Sequence, residues 1–462
     1  MEPPTKPRRL RCSAQNYDWG ILGAESTVAR LYSKNSASEI VPDKSYAELW
    51  MGTHPSGPSF TAEEAEPPKP LKGLVSENPG LLGEKVVERW GTDLPFLFKV
   101  LSVAKALSIQ AHPDKELAKV LHEAWPEVYK DSNHKPEMAV ALTEFEALCG
   151  FVGVEIDGMD ILITYDLGIW KVDEIWIFTL NELKTVLNSV PEFVELIGHE
   201  DANKFLHVNE DDGDDKTKTI LQKIFTKLMS ASKDEYSVLV SKMKARLDVE
   251  NKVRTLTEKE HLALRLEKMY PSDIGVLSSF FFNYVKLKPG EALYLGANEP
   301  HAYLSGECIE CMATSDNVVR AGLTPKFRDV KTLCSMLTYK QGFPEILRGI
   351  PLDSYTKRYT PPFDEFEVDR CVLPEGESVV FPAVPGPSLF IVVSGEGHLK
   401  TDNSVGEDKI TEGHVFFVPA ETEIGVTAAS GADSTNDAPG NLQGHEDDLY
   451  LHTKTAPKTV AE

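Results

Sequence analysis

Cysteine is scarce in this chain, with 6 in 462 residues. Such sparse usage excludes a disulfide-dense secreted scaffold and favours reduced thiols, so we predict a cytoplasmic protein. Long hydrophobic runs are also lacking, since no stretch of about 18 consecutive apolar residues occurs, and this excludes a membrane-spanning helix. The basic residues Lys6, Arg8, Arg9 and Arg11 precede no apolar segment, and we therefore predict no signal peptide.

Basic residues are few in comparison with acidic ones. Lys and Arg total 48 against 72 Asp and Glu, which gives a net charge of −24. Nucleic acids and anionic membranes would repel such a chain, so we predict neither as a partner. An anionic substrate would need a local basic pocket. The glycine-rich loops of nucleotide-binding proteins and the G-x-S-x-G motif of hydrolases are absent from the sequence, which disfavours both classes.

Most of the chain has the pattern of β structure. Its 41% hydrophobic residues are enough for several cores, and its length suggests roughly three domains of about 150 residues. Between residues 11 and 153, and again from 280 to 312, short apolar runs such as Leu94–Leu101 alternate with Gly, Pro and Asn clusters, as in a β sandwich or barrel. After residue 341 a second β module is predicted, with strands at Ser378–Phe381, Leu389–Val393 and His414–Val418.

The segment between these β regions, Leu180–Tyr270, is predicted to be helical. Apolar residues recur at helical spacing between Ile220 and Met229. Ser232 with Glu235 and Thr257 with Glu260 have the spacing of capping boxes at two helix starts. The pattern therefore predicts a β domain interrupted by a helical insertion, followed by a second β domain.

Three segments place polar side chains on a common face of a strand. Side chains two positions apart point the same way in a strand. Three such pairs occur: Gln110 with His112, His301 with Tyr303, and Lys135 with Glu137 if the strand has begun by Lys135. Each histidine by itself could be an ordinary packed residue. Taken together, the segments favour a site for Zn²⁺ or another divalent first-row metal, with nitrogen and oxygen ligands from Gln110, His112, Glu137 and His301.

Further residues near these segments carry chemistry or resemble motifs that do. Cys308 and Cys311 have C-x-x-C spacing, but no second pair exists and the two would face opposite sides of a strand, so we interpret them as packing residues. Positive charge from Arg320 and Lys326 lies close in sequence to two acids and belongs either to a site or to a solvated surface. These acids are Glu310 and Asp316. His54 lies in a turn-rich stretch, and the sequence does not assign it a role.

Six segments in order along the chain resemble the type I mannose-6-phosphate isomerase (phosphomannose isomerase) family. They are Tyr17–Gly20, Tyr46–Pro55, Ser108–Lys115, Asn133–Ala139, Pro300–Tyr303 and Asp316–Asp329. The resemblance implies a mainly β fold with two cupin-type jelly-roll β domains and a helical domain inserted in the first. It also implies a monomeric enzyme with one zinc ion per chain and a sugar phosphate substrate.

The resemblance also implies roles for individual residues. The zinc ligands would be Gln110, His112, Glu137 and His301, and Arg320 would be the active-site arginine. Lys135 and Asp316 match residues proposed to help in proton transfer or substrate binding. The general base stays open among Lys135, Asp316, Glu310 and His54. The remaining candidates for binding substrate or phosphate are Lys99, Ser108, Lys326, Tyr303 and His54.

The family reaction is the reversible conversion of mannose 6-phosphate into fructose 6-phosphate through a cis-enediol, which feeds GDP-mannose synthesis. Zinc would act as a Lewis acid. A cupin-fold non-haem iron oxygenase is one alternative, although Gln110 would occupy a position that oxygen needs. A non-catalytic sugar-binding cupin is another, and the presence of Arg320 and Lys135 disfavours it.

The domain boundaries follow from the composition and the resemblance together. The catalytic cupin domain would cover residues 1–152 and 276–340, and the helical domain 180–275. The second, cupin-like domain would cover 341–427. Two regions depart from the family pattern: an insertion at 153–179, rich in Ile and Trp, and an acidic tail at 428–462 predicted to be disordered.

Overall fold

The computed structural model describes residues 6–62, 67–152, 180–208, 214–401, 406–429 and 447–454. The strands are β1 (Arg8–Arg11), β2 (Ser13–Gln15), β3 (Ile21–Leu22), β4 (Ser45–Tyr46), β5 (Glu48–Met51), β6 (Phe60–Thr61), β7 (Phe96–Val103), β8 (Ile109–Ala111), β9 (Glu137–Ala141), β10 (Phe145–Phe151), β11 (Phe282–Leu287), β12 (Ala292–Leu295), β13 (His301–Ala313), β14 (Val319–Gly322), β15 (Ile350–Pro351), β16 (Thr356–Tyr359), β17 (Glu367–Pro374), β18 (Ser378–Phe381), β19 (Ser388–Ser394), β20 (Glu396–Lys400), β21 (Asp408–Thr411), β22 (Val415–Val418), β23 (Ile424–Ala428) and β24 (Asp447–Lys454). The α-helices are α1 (Thr27–Ser36), α2 (Leu71–Glu77), α3 (Glu84–Trp90), α4 (Lys115–Ala124), α5 (Leu180–Ser189), α6 (Pro191–Ile197), α7 (His199–Leu206), α8 (Asp214–Ser230), α9 (Lys233–Glu250), α10 (Glu258–Met269), α11 (Ile274–Ser278) and α12 (Val330–Met336).

These elements confirm the prediction of a mainly β chain with a helical insertion. The first sheet has ten strands, with β11-β10-β13-β7-β5-β2 as its main path and β8, β9, β12 and β14 attached to it. A second sheet has eight strands in the order β15-β16-β17-β24-β19-β22-β1-β6. A four-stranded sheet, β18-β23-β20-β21, and the pair β3-β4 complete the described strands, among which no sheet closes into a barrel.

The long strand β13 organises the first sheet. Its first half pairs with β10 and β8, and its second half pairs with β7 and β9. The change of partner comes at Gly306, whose φ of 102° is one that other residues rarely adopt. A Cβ at this position would lie 2.2 Å from the Glu144 carbonyl oxygen. Glycine therefore allows one strand to serve both halves of the sheet.

Helices α5 to α11 form the insertion between β10 and β11. Ser232 and Thr257 cap α9 and α10 with complete capping boxes, as predicted. The apolar face of α8 packs against the sheet through Phe225, whose ring contacts those of Phe151 and Phe282. The insertion therefore shares a hydrophobic core with the strands that carry the candidate site.

The cysteines behave as packing residues. All six are buried free thiols. Cys308 and Cys311 lie in different hydrophobic clusters, as expected for positions on opposite faces of β13. This agrees with the interpretation of their C-x-x-C spacing as packing.

Two elements correct the predicted extent of the β domains. The prediction places residues 1–152 in the first domain, yet β1 pairs with β22 of the second sheet, with Leu10 opposite Val415. The tail 428–462 is predicted to be disordered, yet β24 lies between β17 and β19. For β1, an alternating sequence pattern can indicate a strand but not the strand it pairs with. For β24, the prediction rested on the average composition of residues 428–462, in which the polar residues outweigh the eight residues of the strand.

Helices are also more numerous than predicted in the first region. The stretch 11–153 is predicted to be strand-like, and in addition to its strands it contains α1 to α4. These helices have at most ten residues and begin beside turn residues, as where Asp114 caps α4 by accepting from Leu117 N–H. The predicted domain boundary at residue 276 falls within α11 and stays a prediction. A short continuous apolar run, such as the one around Phe280, is compatible with either a helix or a strand, so the sequence does not show where the helices end.

The insertion predicted at 153–179 lies outside the described residues. None of the helices in the described ranges is long and apolar enough to cross a membrane.

Candidate metal centre and active site

Two histidines and a glutamate meet where strands of the first sheet begin or end. His112 follows β8, Glu137 opens β9 and His301 opens β13, and each is about 1% exposed. The Nε2 atoms of His112 and His301 are each 3.4 Å from a carboxylate oxygen of Glu137, Oε1 and Oε2 respectively. One ligand atom from each residue lies within 4.8 Å of the others. Three of the four predicted metal ligands are therefore together.

Backbone carbonyls set the orientation of both imidazoles. Nδ1–H of His112 donates to the Asn317 carbonyl at 2.6 Å, and Nδ1–H of His301 donates to the Glu299 carbonyl at 3.1 Å. With Nδ1 protonated, a neutral imidazole presents its lone pair at Nε2. Burial lowers the pKa of His112 to about 4, although Glu137 acts in the opposite direction. His112 is therefore neutral, as a metal ligand must be.

The carboxylate of Glu137 is kept charged by its neighbours. Lys135 Nζ lies 2.9 Å from Glu137 Oε1. Burial would raise the pKa of Glu137, but the charge of Lys135 holds it well below its usual value. A buried charge of this kind persists only when it is paired.

The residues present fit a divalent metal. Nε2 of His112 and Nε2 of His301 are buried and have no hydrogen-bond partner among the described residues. Buried polar atoms without partners are uncommon in folded proteins and call for an explanation such as an ion. Two imidazole nitrogens and one carboxylate are a ligand set typical of zinc.

Gln110 and Arg320 stand in one row with His301. Across three adjacent strands, His301 on β13 is opposite Gln110 on β8, which is opposite Arg320 on β14. Directly opposed residues share a face of the sheet. The Gln110 amide oxygen accepts a hydrogen bond from Ser108 Oγ at 3.1 Å. Its role as a fourth metal ligand stays a prediction.

The guanidinium of Arg320 is half-buried and unpaired. Within the described ranges it makes no ion pair or hydrogen bond, and burial alone lowers its pKa. An unpartnered, partly desolvated cation has a free-energy cost that a bound anion would offset.

Lys99 and Glu310 form a buried ion pair on the face that carries Glu137. Lys99 Nζ lies 2.7 Å from Glu310 Oε2 and 3.5 Å from Glu48 Oε2. Burial opposes the charge of Lys99, but the two carboxylates raise its pKa above the ordinary value. Burial also raises the pKa of Glu310, helped by Glu137 and opposed by Lys99. Lys99 thus has two carboxylate partners already, and its contact with phosphate stays a prediction.

His54 and Asp316 form a second pair. His54 Nε2 is 3.4 Å from Asp316 Oδ1, with His54 buried and Asp316 about half exposed. The hydrogen bond from His54 lowers the pKa of Asp316, and the charges of Lys135 and Lys99 add to this effect. The charges of Lys99 and Lys135 therefore act on the pair that His54 and Asp316 form.

Two further candidates differ sharply in burial. The Tyr303 ring is 6.5 Å from that of His301, and its buried hydroxyl has no hydrogen-bond partner in the described part of the chain. Burial raises the pKa of this hydroxyl well above its ordinary value. Lys326 instead lies exposed in the loop after β14. Its predicted contact with phosphate is not tested by this arrangement.

Sequence reasoning missed two residues of the site. Glu48 accepts a hydrogen bond from Trp50 Nε1 and lies near Lys99. It belongs to the segment Tyr46–Pro55, so its place in a distinctive motif was a usable signal. Asn317 contributes a backbone carbonyl, and the residue type gives no sign of such a role.

Comparisons with known proteins agree with this geometry. Three family models match: the catalytic domain of phosphomannose isomerase type I at residues 8–154, its helical insertion domain at 196–282, and its C-terminal domain at 359–404. Mannose-6-phosphate isomerase 1 of Arabidopsis thaliana is 56% identical over 425 residues, covering 92% of this chain and 91% of that protein. The chain belongs to the type I phosphomannose isomerase family.

This membership confirms the resemblance and the expectation of an enzyme of the mannose-6-phosphate isomerase class. Solved phosphomannose isomerases have the same architecture. A variant from Salmonella typhimurium is 26% identical with a TM-score of 0.75, covering 97% of this chain and 99% of that one. A mannose 6-phosphate isomerase bound with zinc and yttrium matches at a TM-score of 0.74 and 26% identity, with the same coverage.

Proposed function

We propose that this chain interconverts mannose 6-phosphate and fructose 6-phosphate, and that one zinc ion is held by His112, Glu137 and His301 with Gln110 as a fourth ligand. The observation that carries the proposal is the buried His-Glu-His cluster with its two unpartnered Nε2 atoms, in a chain of this family. The position of Gln110 opposite His301 supports its inclusion.

Isomerisation moves a proton between C2 and C1 of the open sugar through a cis-enediol. When bound, zinc would supply Lewis-acid stabilisation of negative charge on the oxygens at C1 and C2. Arg320 lies on the strand face of Gln110 and His301, and none of the described residues pairs with its guanidinium. In the proposed mechanism its guanidinium donates to the oxygen that gains negative charge as the C2 proton leaves and the enediolate forms.

A general base for the C2 proton is typically worth about 10²–10⁴-fold in rate. Burial raises the pKa of Glu310 above its ordinary value, the direction that suits a general base. The pKa of Asp316 is shifted in the opposite direction, and Lys135 is bound to the carboxylate of Glu137, a proposed zinc ligand. We therefore favour Glu310 as the base, with His54 and Asp316 as a hydrogen-bonded pair beside the substrate.

Binding of the substrate dianion needs cations, because the chain as a whole has a net charge of −24. Lys99, Ser108 and Lys326 are the proposed contacts for phosphate, and Tyr303 a contact for the sugar. A cytoplasmic monomer without nucleic-acid or membrane partners, and a place upstream of GDP-mannose synthesis, stay predictions. Family membership favours the isomerase over an iron oxygenase and over a non-catalytic sugar-binding protein.

The proposal is tested by metal analysis of the purified chain together with an assay of fructose 6-phosphate formation. We expect about one zinc per chain, loss of activity on chelation and recovery with added zinc. His112→Ala should lose both zinc and activity. His398→Ala, on β20 of the four-stranded sheet, is the control and should lose neither. Full isomerase activity in a metal-free sample would contradict the zinc dependence.

A further inference from the structure

A carboxylate outside the ligand set organises the loop that holds His112. Asp131 lies between α4 and β9, and its side chain accepts hydrogen bonds from the loop that precedes β14. The donors are Ser315 Oγ at 2.8 Å, the Asp316 backbone N–H at 2.8 Å and Asn317 Nδ2 at 3.3 Å. One carboxylate therefore fixes three consecutive residues.

Asn317 connects this loop to the metal centre. It is fully buried, and its side-chain amide also donates to the backbone carbonyls of Asp131 at 2.7 Å and Asn133 at 3.0 Å. Its own carbonyl accepts the hydrogen bond from His112 Nδ1–H. A continuous hydrogen-bonded chain thus runs from Asp131 through Asn317 to His112.

The partner of one imidazole nitrogen sets the tautomer and the rotation of the ring, and so directs the other nitrogen. For His112 that partner is a peptide carbonyl, which can be placed only by placing its loop. Hydrogen bonds to a charged acceptor are stronger than neutral ones. The carboxylate of Asp131 is therefore well suited to hold this loop in one arrangement.

We propose that Asp131 is a positioning residue of the metal centre: it holds the Asn317 carbonyl against His112 Nδ1 and so keeps His112 Nε2 directed at the metal. The inference rests on the proposed function, which places zinc at His112. Asp131 makes no hydrogen bond with His112, Glu137 or His301 among the described residues, and its effect passes through Asn317.

The first test measures zinc affinity of the full chain by competition with a chromophoric chelator. We expect Asp131→Ala to weaken zinc binding by about 10- to 100-fold, the usual effect of removing an outer partner of a ligand. Asp131→Asn retains one acceptor oxygen, so its zinc affinity should lie between those of the unsubstituted chain and Asp131→Ala. Asp353→Ala is the matched control, since Asp353 also orders a turn through the N–H groups of Tyr355 and Thr356, but before β16 in the second sheet.

The second test needs no metal. In metal-free protein with ¹⁵N-labelled histidine, His112 should be the Nδ1–H tautomer in the natural chain and a mixture of tautomers in Asp131→Ala. A natural chain that binds no zinc would defeat the proposed function, while the tautomer would still test the role of Asp131. An unchanged tautomer together with unchanged zinc affinity would overturn the inference, as would an equal loss of zinc affinity in Asp353→Ala. If Asp131→Ala does not fold, Asp131→Asn answers the same questions.

Discussion

Arg320 on β14 lies directly opposite Gln110 on β8, and its guanidinium has no hydrogen-bond or ion-pair partner in the described ranges of the chain. Other cations near the site are already engaged, Lys135 with Glu137 and Lys99 with Glu310. Arg320 shares its strand face with His301 of the candidate metal cluster. This arrangement suits a group that meets negative charge only when substrate is present.

Arg320→Lys tests this role. Lysine keeps the charge but lacks the planar fork that donates two parallel hydrogen bonds. We expect kcat to fall by about 10²-fold or more, with a much smaller rise in KM, the pattern of an interaction made mainly in the transition state. Arg348→Lys, at an exposed arginine paired with Glu291, is the control in the same steady-state assay. A rise in KM alone would make Arg320 a ground-state clamp.

Ser232→Ala tests whether the helical insertion has a structural role separate from the chemistry. Its hydroxyl accepts from Glu235 N–H at the start of α9. Removal should lower the free energy of unfolding by about 0.5–2 kcal/mol and leave zinc content unchanged. Urea unfolding measures this loss. Ser241→Ala, in the middle of the same helix, is the control and should lower the free energy of unfolding by less. Equal losses from both variants would show that the cap has no special contribution.

Stability should depend on pH through His414. Its Nε2 accepts a hydrogen bond from Arg9 at 2.7 Å, and burial, together with Arg9, lowers its pKa from 6.5 to about 4. As the pH falls, His414 is protonated in the unfolded chain before it is protonated in the folded one. The stability linked to neutral His414 is therefore fully present above about pH 6.5 and is lost as the pH falls toward about 4.

Urea unfolding of the natural chain and of His414→Gln at several pH values between about 7 and 4.5 measures this effect. The natural chain should lose stability more steeply than the variant as the pH falls. His398→Gln, on β20, serves as the control and should follow the natural chain. Identical slopes for the natural chain and His414→Gln would contradict the role of His414.

Truncation distinguishes an ordered β24 from a disordered tail. A chain ending at residue 429 lacks the strand between β17 and β19, which exposes two strand edges. We expect a lower melting temperature and aggregation for this chain, and neither for a chain ending at residue 454. If the two truncated chains melt at the same temperature, β24 contributes nothing to the second sheet.

Local patterns in the sequence predicted the parts of the molecule that local physics determines. Both capping boxes form as their sequences indicate. The pairs Gln110–His112 and Lys135–Glu137 indicated a metal site only when taken together with the segment of His301. The pairing of β1 with β22 and the position of β24 could not be predicted, because strand partners are chosen by tertiary packing. The hydrogen bond to the Asn317 carbonyl could not be predicted either, because every residue has a backbone carbonyl and only the tertiary structure places this one beside His112.

The proposed zinc centre at His112, Glu137 and His301 can be located directly in crystals. Anomalous diffraction from crystals of the purified chain, recorded on both sides of the zinc absorption edge, tests it most directly. We predict one strong peak that appears only above the edge, within bonding distance of His112 Nε2, His301 Nε2 and a Glu137 oxygen, with Gln110 beside it. A zinc peak at another place in the chain, or no zinc peak in fully active crystals, would rule out zinc at these three residues.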